Sequence, residues 1–293
     1  MQQSELVPDY NAPSSIKKFL DDRGMAMQKK FGQNFLINSR AREKLIDSLG
    51  DIQNTSIWEV GPGLGCMTDL MLKKNANVTA FEIDRGFAQV LRTAFNSALY
   101  NGCGKFTLVE GDVLKTWKTE MKENGLAQFF FGNLPYNIAA AILADMISQG
   151  ARFMKAVITV QKEVAQRMEA KPGTEDYSSF SVLCQWAYTI TPIMDLGGGS
   201  FWPKPNVDSR AVLMVKKEDF PRCKSIEHFM KIQRSLFVSR RKTVKNNLGV
   251  FYGDMDKAHQ VLVKSGIDPQ IRAERLSLDE LLHLSDCSVE LFS

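Results

Sequence analysis

Three short segments of this 293-residue sequence hold residue types that do chemistry. The first is a glycine turn, Gly61-Pro62-Gly63-Leu64-Gly65, directly after the apolar run Ser56–Val60. Glycines there permit a tight turn and let a ligand approach the backbone. Its spacing is G-x-G-x-G, which departs from the G-x-G-x-x-G of dinucleotide sites, and the lysine of a phosphate-binding loop is missing. The second is Glu82, at the end of the next apolar run and 21 residues after Gly61. A carboxylate in that place can accept both hydroxyls of a ribose. A further acid, Asp112, ends the following run and can accept the exocyclic amine of an adenine ring. Two ligands satisfy this set, a dinucleotide or S-adenosylmethionine. The latter has no pyrophosphate, which suits the altered glycine spacing.

The third segment is Asn133-Leu134-Pro135-Tyr136, after the run containing Phe129, Phe130 and Phe131. Its residue types suit an adenine amine. The N6 lone pair is delocalised into the ring, so the amine is a poor nucleophile, and acceptors that hold its hydrogens weaken the conjugation. The Asn133 side-chain oxygen is one such acceptor. The Leu134 carbonyl is the other, its direction set by Pro135. Tyr136 offers a ring for the base to stack on. A neutral amide fits a step in which the attacking amine gains positive charge and a sulfonium loses it. Read blandly, the same four residues make a Pro-Tyr turn capped by asparagine.

The elements that must carry these residues follow from periodicity. Strands are expected at Ser56–Val60, Asn77–Ile83, Phe106–Val109, Ala127–Gly132 and Ala156–Val160, with helices at Leu64–Lys74, Phe87–Leu99 and Ile138–Ser148. Such alternation specifies an α/β fold with a doubly wound parallel sheet. The pattern changes after Gly150. Ser179–Trp186 reads as helical, Gly197–Gly199 with Pro203 and Pro205 as a loop, and Val207–Val215 as a closing strand. Beyond Lys217 only helices are expected, at Ile226–Phe237, Thr243–Leu248, Met255–Lys264 and Ser277–Leu284. The division is therefore an arm at 1–28, an α/β domain at 29–217 and a small all-helical domain at 218–293. Residues 1–15 read as a loose arm, followed by a basic helical stretch with Lys17, Lys18, Arg23, Lys29 and Lys30.

Composition narrows the class. Apolar residues make up 44% and charged residues 24%, which is globular and excludes a disordered or fibrous chain. No apolar run reaches the 18 or so residues of a membrane span, and the N-terminus lacks the basic start and apolar stretch of a signal peptide. The 5 cysteines are odd in number and none pair at C-x-x-C spacing, so neither a disulfide framework nor a metal site is expected, and a reducing cytoplasmic setting fits. All 3 histidines lie in the last 70 residues, which disfavours a hydrolase triad in the α/β part. The net charge of +4 is too mild to prove a polyanionic partner. Its distribution says more. Lys231 to Lys245 holds Lys231, Arg234, Arg240, Arg241, Lys242 and Lys245 with no acid, so Arg234, Arg240, Arg241, Lys242 and Lys245 are candidate phosphate contacts.

The motifs, in this order, resemble those of the ribosomal RNA adenine N6-dimethyltransferases, over about Lys29 to Leu284. Lys30-Phe31-Gly32-Gln33-Asn34-Phe35-Leu36 is similar to the family's opening segment, Glu59–Gly65 to its donor loop, Asn133–Tyr136 to its catalytic tetrapeptide, and Phe201–Ser209 to a later loop. The resemblance implies a Rossmann-like S-adenosylmethionine-dependent sheet with a C-terminal helical domain. It implies donor contacts at Asn34, Leu36, Gly61, Gly63, Glu82, Asp112 and Asn133, catalysis at Asn133, Leu134, Pro135 and Tyr136, and a Phe201 ring that sandwiches the target adenine with Tyr136. No metal is implied. Trp202 and Lys204 depart from the smaller or proline residues usual in that loop. An Arg-Arg-Lys-Thr segment like Arg240–Thr243 opens the helical domain of the bacterial small-subunit branch. That branch dimethylates two adjacent adenines in the 3′-terminal hairpin of 16S rRNA, in the 30S subunit or its precursor. The expected protein is then cytoplasmic, with nothing that demands more than a monomer. The long helical part and this basic segment favour the branch over resistance-type enzymes that modify one adenine of 23S rRNA. A DNA adenine methyltransferase usually has aspartate at the first position of the tetrapeptide. A non-catalytic assembly factor is disfavoured because Asn133, Glu82 and Asp112 are all present.

Overall fold

A computed structural model describes residues 6–27, 33–96, 100, 102–134 and 138–292. In chain order α1 (Pro13–Asp21) leads to β1 (Phe35–Leu36) and α2 (Ser39–Asp47). Alternation follows through β2 (Ser56–Val60), α3 (Cys66–Lys73), β3 (Asn77–Glu82), α4 (Arg85–Phe95), β4 (Phe106–Glu110), α5 (Val113–Asn124), β5 (Phe129–Asn133), α6 (Ala139–Ser148), β6 (Lys155–Gln161) and α7 (Lys162–Glu169). Next come α8 (Ser179–Ala187), β7 (Tyr188–Leu196), β8 (Phe201–Trp202) and β9 (Ser209–Lys216). The chain ends in α9 (Ile226–Val238), α10 (Val244–Tyr252), α11 (Met255–Ser265) and α12 (Leu278–Phe292).

The main sheet has the order β4-β3-β2-β5-β6-β9-β7. Strands β2 to β6 pair in parallel, as the alternation requires. The closing strand β9 runs antiparallel to β6, with Lys155 opposite Val215, so the parallel sheet is capped by a strand of opposite direction. Chain order reverses between β2 and its neighbour β5, which opens a crevice at their carboxyl ends. Gly61 follows β2 and Asn133 ends β5, so the two motifs meet there. A separate two-stranded pair, β1 with β8, sets Phe35 opposite Trp202 and Leu36 opposite Phe201.

The run of three phenylalanines in β5 is buried throughout, as expected for a strand covered on both faces. Helices α2 and α5 carry too few apolar positions to stand out in the sequence. Only Val113, Trp117 and Glu120 of α5 are buried. Local capping still defines their starts: Asn38 accepts from the Ala41 amide, Asp112 from the Leu114 amide, and Asp84 from the Gly86 and Phe87 amides at α4. Such caps contribute about 1 kcal/mol each.

The chain forms two compact units. One comprises residues 1–145, 151–165 and 191–215, and the other 146–150, 166–190 and 216–293. The first holds the crevice. Its N-terminal stretch is packed and not loose: Leu6 is 5% exposed, and Ile16, Phe19 and Leu20 of α1 are buried. In the second, Trp186 packs against Phe220 and Phe229, with ring centroids at 4.4 and 4.6 Å. Its indole Nε1 donates to the Pro221 carbonyl at 2.6 Å. Glycines in the left-handed region, Gly253 and Gly266, end α10 and α11.

Candidate active site

The glycine turn takes its shape from backbone that only glycine adopts freely. Gly61, Gly63 and Gly65 have φ of 72°, 59° and 88°. The turn closes through a Gly65 N–H to Pro62 carbonyl bond of 2.9 Å. A Cβ on Gly65 would stand 2.4 Å from the Phe95 ring, so this position also needs the absence of a side chain.

Glu82 ends β3 beside the turn. One carboxylate oxygen accepts from the Gly63 amide at 3.1 Å and the other from the Asp84 amide at 2.8 Å. Burial pushes this carboxyl up to about 7, and the two amide bonds oppose that rise. Glu59, on β2, is also buried and accepts from the Thr68 hydroxyl at 2.5 Å. Burial raises it to about 8, the Thr68 bond pulling it down and the Glu82 charge pushing it up. Asp112 spends one oxygen on capping α5. Its other oxygen has no partner among the described residues.

Asn133 reaches the crevice from the end of β5. Its Nδ2 donates to the backbone carbonyl of Asn34 at 3.1 Å. Only the amino end of a carboxamide can face a carbonyl, so Oδ1 is turned away from Asn34 and keeps its acceptor capacity. Leu134 is buried, and its amide donates to the Thr159 carbonyl at 3.1 Å. The expected contributions of Pro135 and Tyr136 lie outside the described residues, as do Lys30, Phe31 and Gly32 of the opening segment.

One cavity collects Asn34, Leu36, Gly61, Gly63, Glu82, Asp112, Asn133 and Leu134, with Glu59, Phe35 and Phe87 in its walls. Three carboxyl groups, of Glu59, Glu82 and Asp112, line it, and among the described residues no lysine, arginine or histidine does. The carboxyl side chains offer hydrogen-bond acceptors to a ligand's hydroxyl, amine or ammonium groups. No cluster of metal-ligating side chains occurs among the described residues, and no helix there is long and apolar enough to cross a membrane.

Phe201 departs from its expected role. Its ring is 3% exposed, packs in the same core as Leu36 and Phe131, and is absent from the cavity wall. Phe201 pairs with Leu36 of β1 and is enclosed in the apolar cluster around it. Trp202 instead stacks on the cavity-lining Phe35, at 6.3 Å with an 18° interplanar angle. The unusual tryptophan thus packs on the opening segment.

Several contributors carry no signal in the sequence. The Thr68 hydroxyl comes from a position without any motif; Gln33 and Asn34 belong to the opening segment, but the Gln33 bond to Asp84, at 3.0 Å across 51 positions, and the use of the Asn34 carbonyl leave no trace there. Glu59 is visible next to the glycines, but its burial is not.

The basic run divides. Arg234, Arg241 and Lys242 are exposed with no acidic partner among the described residues, and Lys245 is half-buried. Arg240 is turned onto its own unit, donating to the Glu175 carbonyl at 2.6 Å and pairing with Glu274 at 3.4 Å. Its side chain stays exposed while making these two contacts.

A family model described as ribosomal RNA adenine dimethylase matches residues 24–288. The chain is 47% identical over 282 residues to a ribosomal RNA small subunit methyltransferase A of Treponema denticola, covering 95% of each chain. It is 40% identical over 284 residues to the protein of the same name from Treponema pallidum, covering 95% of this chain and 97% of that one. Among solved structures, a dimethyladenosine transferase from Plasmodium falciparum shares the fold, with a TM-score of 0.70 and 24% identity over 84% of this chain and 94% of the other.

Proposed function

The chain belongs to the ribosomal RNA adenine dimethylase family, and from that membership we propose the reaction in full: transfer of methyl groups from S-adenosylmethionine to N6 of two adjacent adenines in the 3′-terminal hairpin of 16S rRNA. The substrate is the 30S subunit or its precursor, which places the enzyme in the cytoplasm, and a single chain supplies every group named. The observation that carries this reading is the convergence of the glycine turn, Glu82, Asp112 and Asn133 on one acidic cavity.

S-adenosylmethionine, when bound, supplies a methyl group on a sulfonium that leaves as a neutral thioether. The cavity residues suit it. Glu82, held by two amides, keeps lone pairs for a ribose diol. The uncommitted oxygen of Asp112 receives the adenine amine of the donor. Gly61 and Gly63 leave the backbone open to the donor's amino-acid portion, and Asn34 and Leu36 cover it from the opening segment.

The target adenine must leave its stack to reach this cavity. Asn133 Oδ1 and the Leu134 carbonyl accept the two hydrogens of its amine, with the Tyr136 ring against the base. The acceptors draw the nitrogen lone pair out of conjugation and direct it at the methyl group. As the amine gains positive charge, Asn133 is bonded more strongly than before, which lowers the barrier. No residue needs to remove a proton first, because the ammonium formed is acidic and loses its proton to water. A second transfer repeats the geometry with one N–H left to hold.

Methyl transfer is assigned to residues 29–217 and RNA recognition to 218–293, with residues 1–28 as an N-terminal arm. Within the helical domain Arg234, Arg241, Lys242 and Lys245 are the phosphate contacts, with Arg240 tied to Glu175 and Glu274 beside them.

Tritiated S-adenosylmethionine tests the proposal. The protein is incubated with unmethylated 30S particles, 50S particles and naked DNA, and the products are digested and chromatographed. N6,N6-dimethyladenine from 30S alone is expected. Label in 50S would assign the resistance-type reaction, and binding to 30S without label would assign an assembly factor.

A further inference from the structure

We propose that residues 6–27 brace the donor cavity from behind its lining, and that Tyr10, Asn11 and Arg42 are positioning residues that tie this brace to the glycine turn and the opening segment. The proposal rests on the reading of the cavity as a methyl-donor site. The family match begins at residue 24, so most of this segment precedes it.

Three sets of contacts join the segment to the cavity. The Tyr10 hydroxyl donates to the Leu64 carbonyl, inside the glycine turn, at 2.9 Å. Arg42, 5% exposed, donates through Nη1 to the Leu36 carbonyl at 2.7 Å and the Tyr10 carbonyl at 3.4 Å, and through Nη2 to Asn11 Oδ1 at 2.6 Å. Ile16, Phe19 and Leu20 form one apolar cluster with Phe35, Leu64 and Phe87. Phe35, Leu36 and Phe87 line the cavity, and Leu64 lies between two of the three turn glycines.

The chemistry of Arg42 makes the arrangement interdependent. Its guanidinium has no carboxylate partner among the described residues, so its charge is satisfied only by neutral oxygens, two of which belong to Tyr10 and Asn11. Removing the segment strands a buried cation next to β1. With the segment in place, the same cation holds the Leu36 carbonyl and with it the strand that carries Phe35 over the cavity. Tyr10 acts on the opposite side, where its hydroxyl holds the Leu64 carbonyl in addition to the bond that closes the turn.

Calorimetric titration with S-adenosylmethionine and with its demethylated thioether, on wild type, Tyr10→Phe and Asn11→Ala, tests this. Both substitutions delete one hydrogen-bonding group and leave the packing in place. Donor Kd and KM are expected to rise about three- to tenfold in each, with kcat and RNA affinity unchanged. Unchanged donor Kd in both variants, with a lowered melting temperature, would overturn the proposal and leave the segment as ordinary packing. Wild type that binds neither compound would instead overturn the donor reading of the cavity, and this proposal with it.

Discussion

The Asn133 Nδ2 lies 3.1 Å from the Asn34 carbonyl oxygen, 99 positions earlier in the chain. This bond orients the carboxamide whose oxygen is proposed to hold the target amine. Asn133→Ala should therefore lower kcat by about 10²- to 10³-fold, the range for removing one transition-state hydrogen-bonding group. Donor and RNA dissociation constants should stay within about threefold of wild type, since uniform binding is untouched. Single-turnover methyl transfer with parallel binding titrations measures both, and a fully active variant would refute the acceptor mechanism.

The buried carboxyl of Glu59 makes stability and donor binding depend on pH. Its folded-state value, about 8, stands above the usual 4.5, so the folded chain holds this proton more tightly than the unfolded one. The stability it lends is fully present below 4.5 and is lost as pH rises through about 8. Wild type should thus lose more stability than Glu59→Gln over that window, by up to several kcal/mol (roughly 1.4 per pKa unit). A cationic donor favours the ionised carboxylates. Its binding at neutral pH should release protons, seen as calorimetric enthalpies that vary with the ionisation enthalpy of the buffer.

Gly65→Ala should be severe. The residue would need a left-handed φ of 88° and would place its Cβ 2.4 Å from the Phe95 ring. A cost of about 2–4 kcal/mol is expected from strain and overpacking. Thermal denaturation checks the stability, and donor titration at low temperature should show the site lost before the fold.

The basic run should separate into two kinds of residue. Replacing Arg241 and Lys242 with alanine should weaken RNA binding and reduce the slope of log affinity against log salt by roughly 1.5, at about 0.7–0.9 per phosphate contact, without lowering the melting temperature. Arg240→Ala should lower stability by about 1 kcal/mol through loss of the Glu175 and Glu274 contacts, and change the slope little. Filter binding across a salt series distinguishes them.

Thr159 is fully buried at the end of β6, opposite Asn133, and its Oγ1 has no hydrogen-bond partner among the described residues. Thr159→Val keeps the shape and removes the unsatisfied hydroxyl. Stability should rise by about 1 kcal/mol. A fall on thermal or denaturant unfolding would mean that the hydroxyl is in use.

Much of the active site was legible before the fold, because its parts sit at places the sequence marks locally. Glycines report a backbone that side chains cannot follow. Glu82, Asp112 and Asn133 each end an apolar run, and in a parallel sheet those ends share one edge. Periodicity therefore placed strands, edge and motifs together without any knowledge of tertiary contacts. It was silent on α2 and α5, whose apolar stripes are narrow and whose helical state depends on caps and on the sheet beneath them.

What the sequence determined by itself was the set of chemical groups and their order along strand ends, since both follow from residue type and short-range period. The tertiary structure alone decided which partner each group meets. Packing in the core that also holds Leu36 and Phe131 buried the Phe201 ring, which was expected to face a base. The 34-residue reach from Arg240 to Glu274 gave an exposed arginine of the basic run an acidic partner. The Tyr10–Leu64 and Asn133–Asn34 bonds join segments whose separation in the chain leaves no periodic trace. Such pairings are set by packing of the whole unit, where a side chain's burial and its nearest acceptor depend on elements far away in sequence.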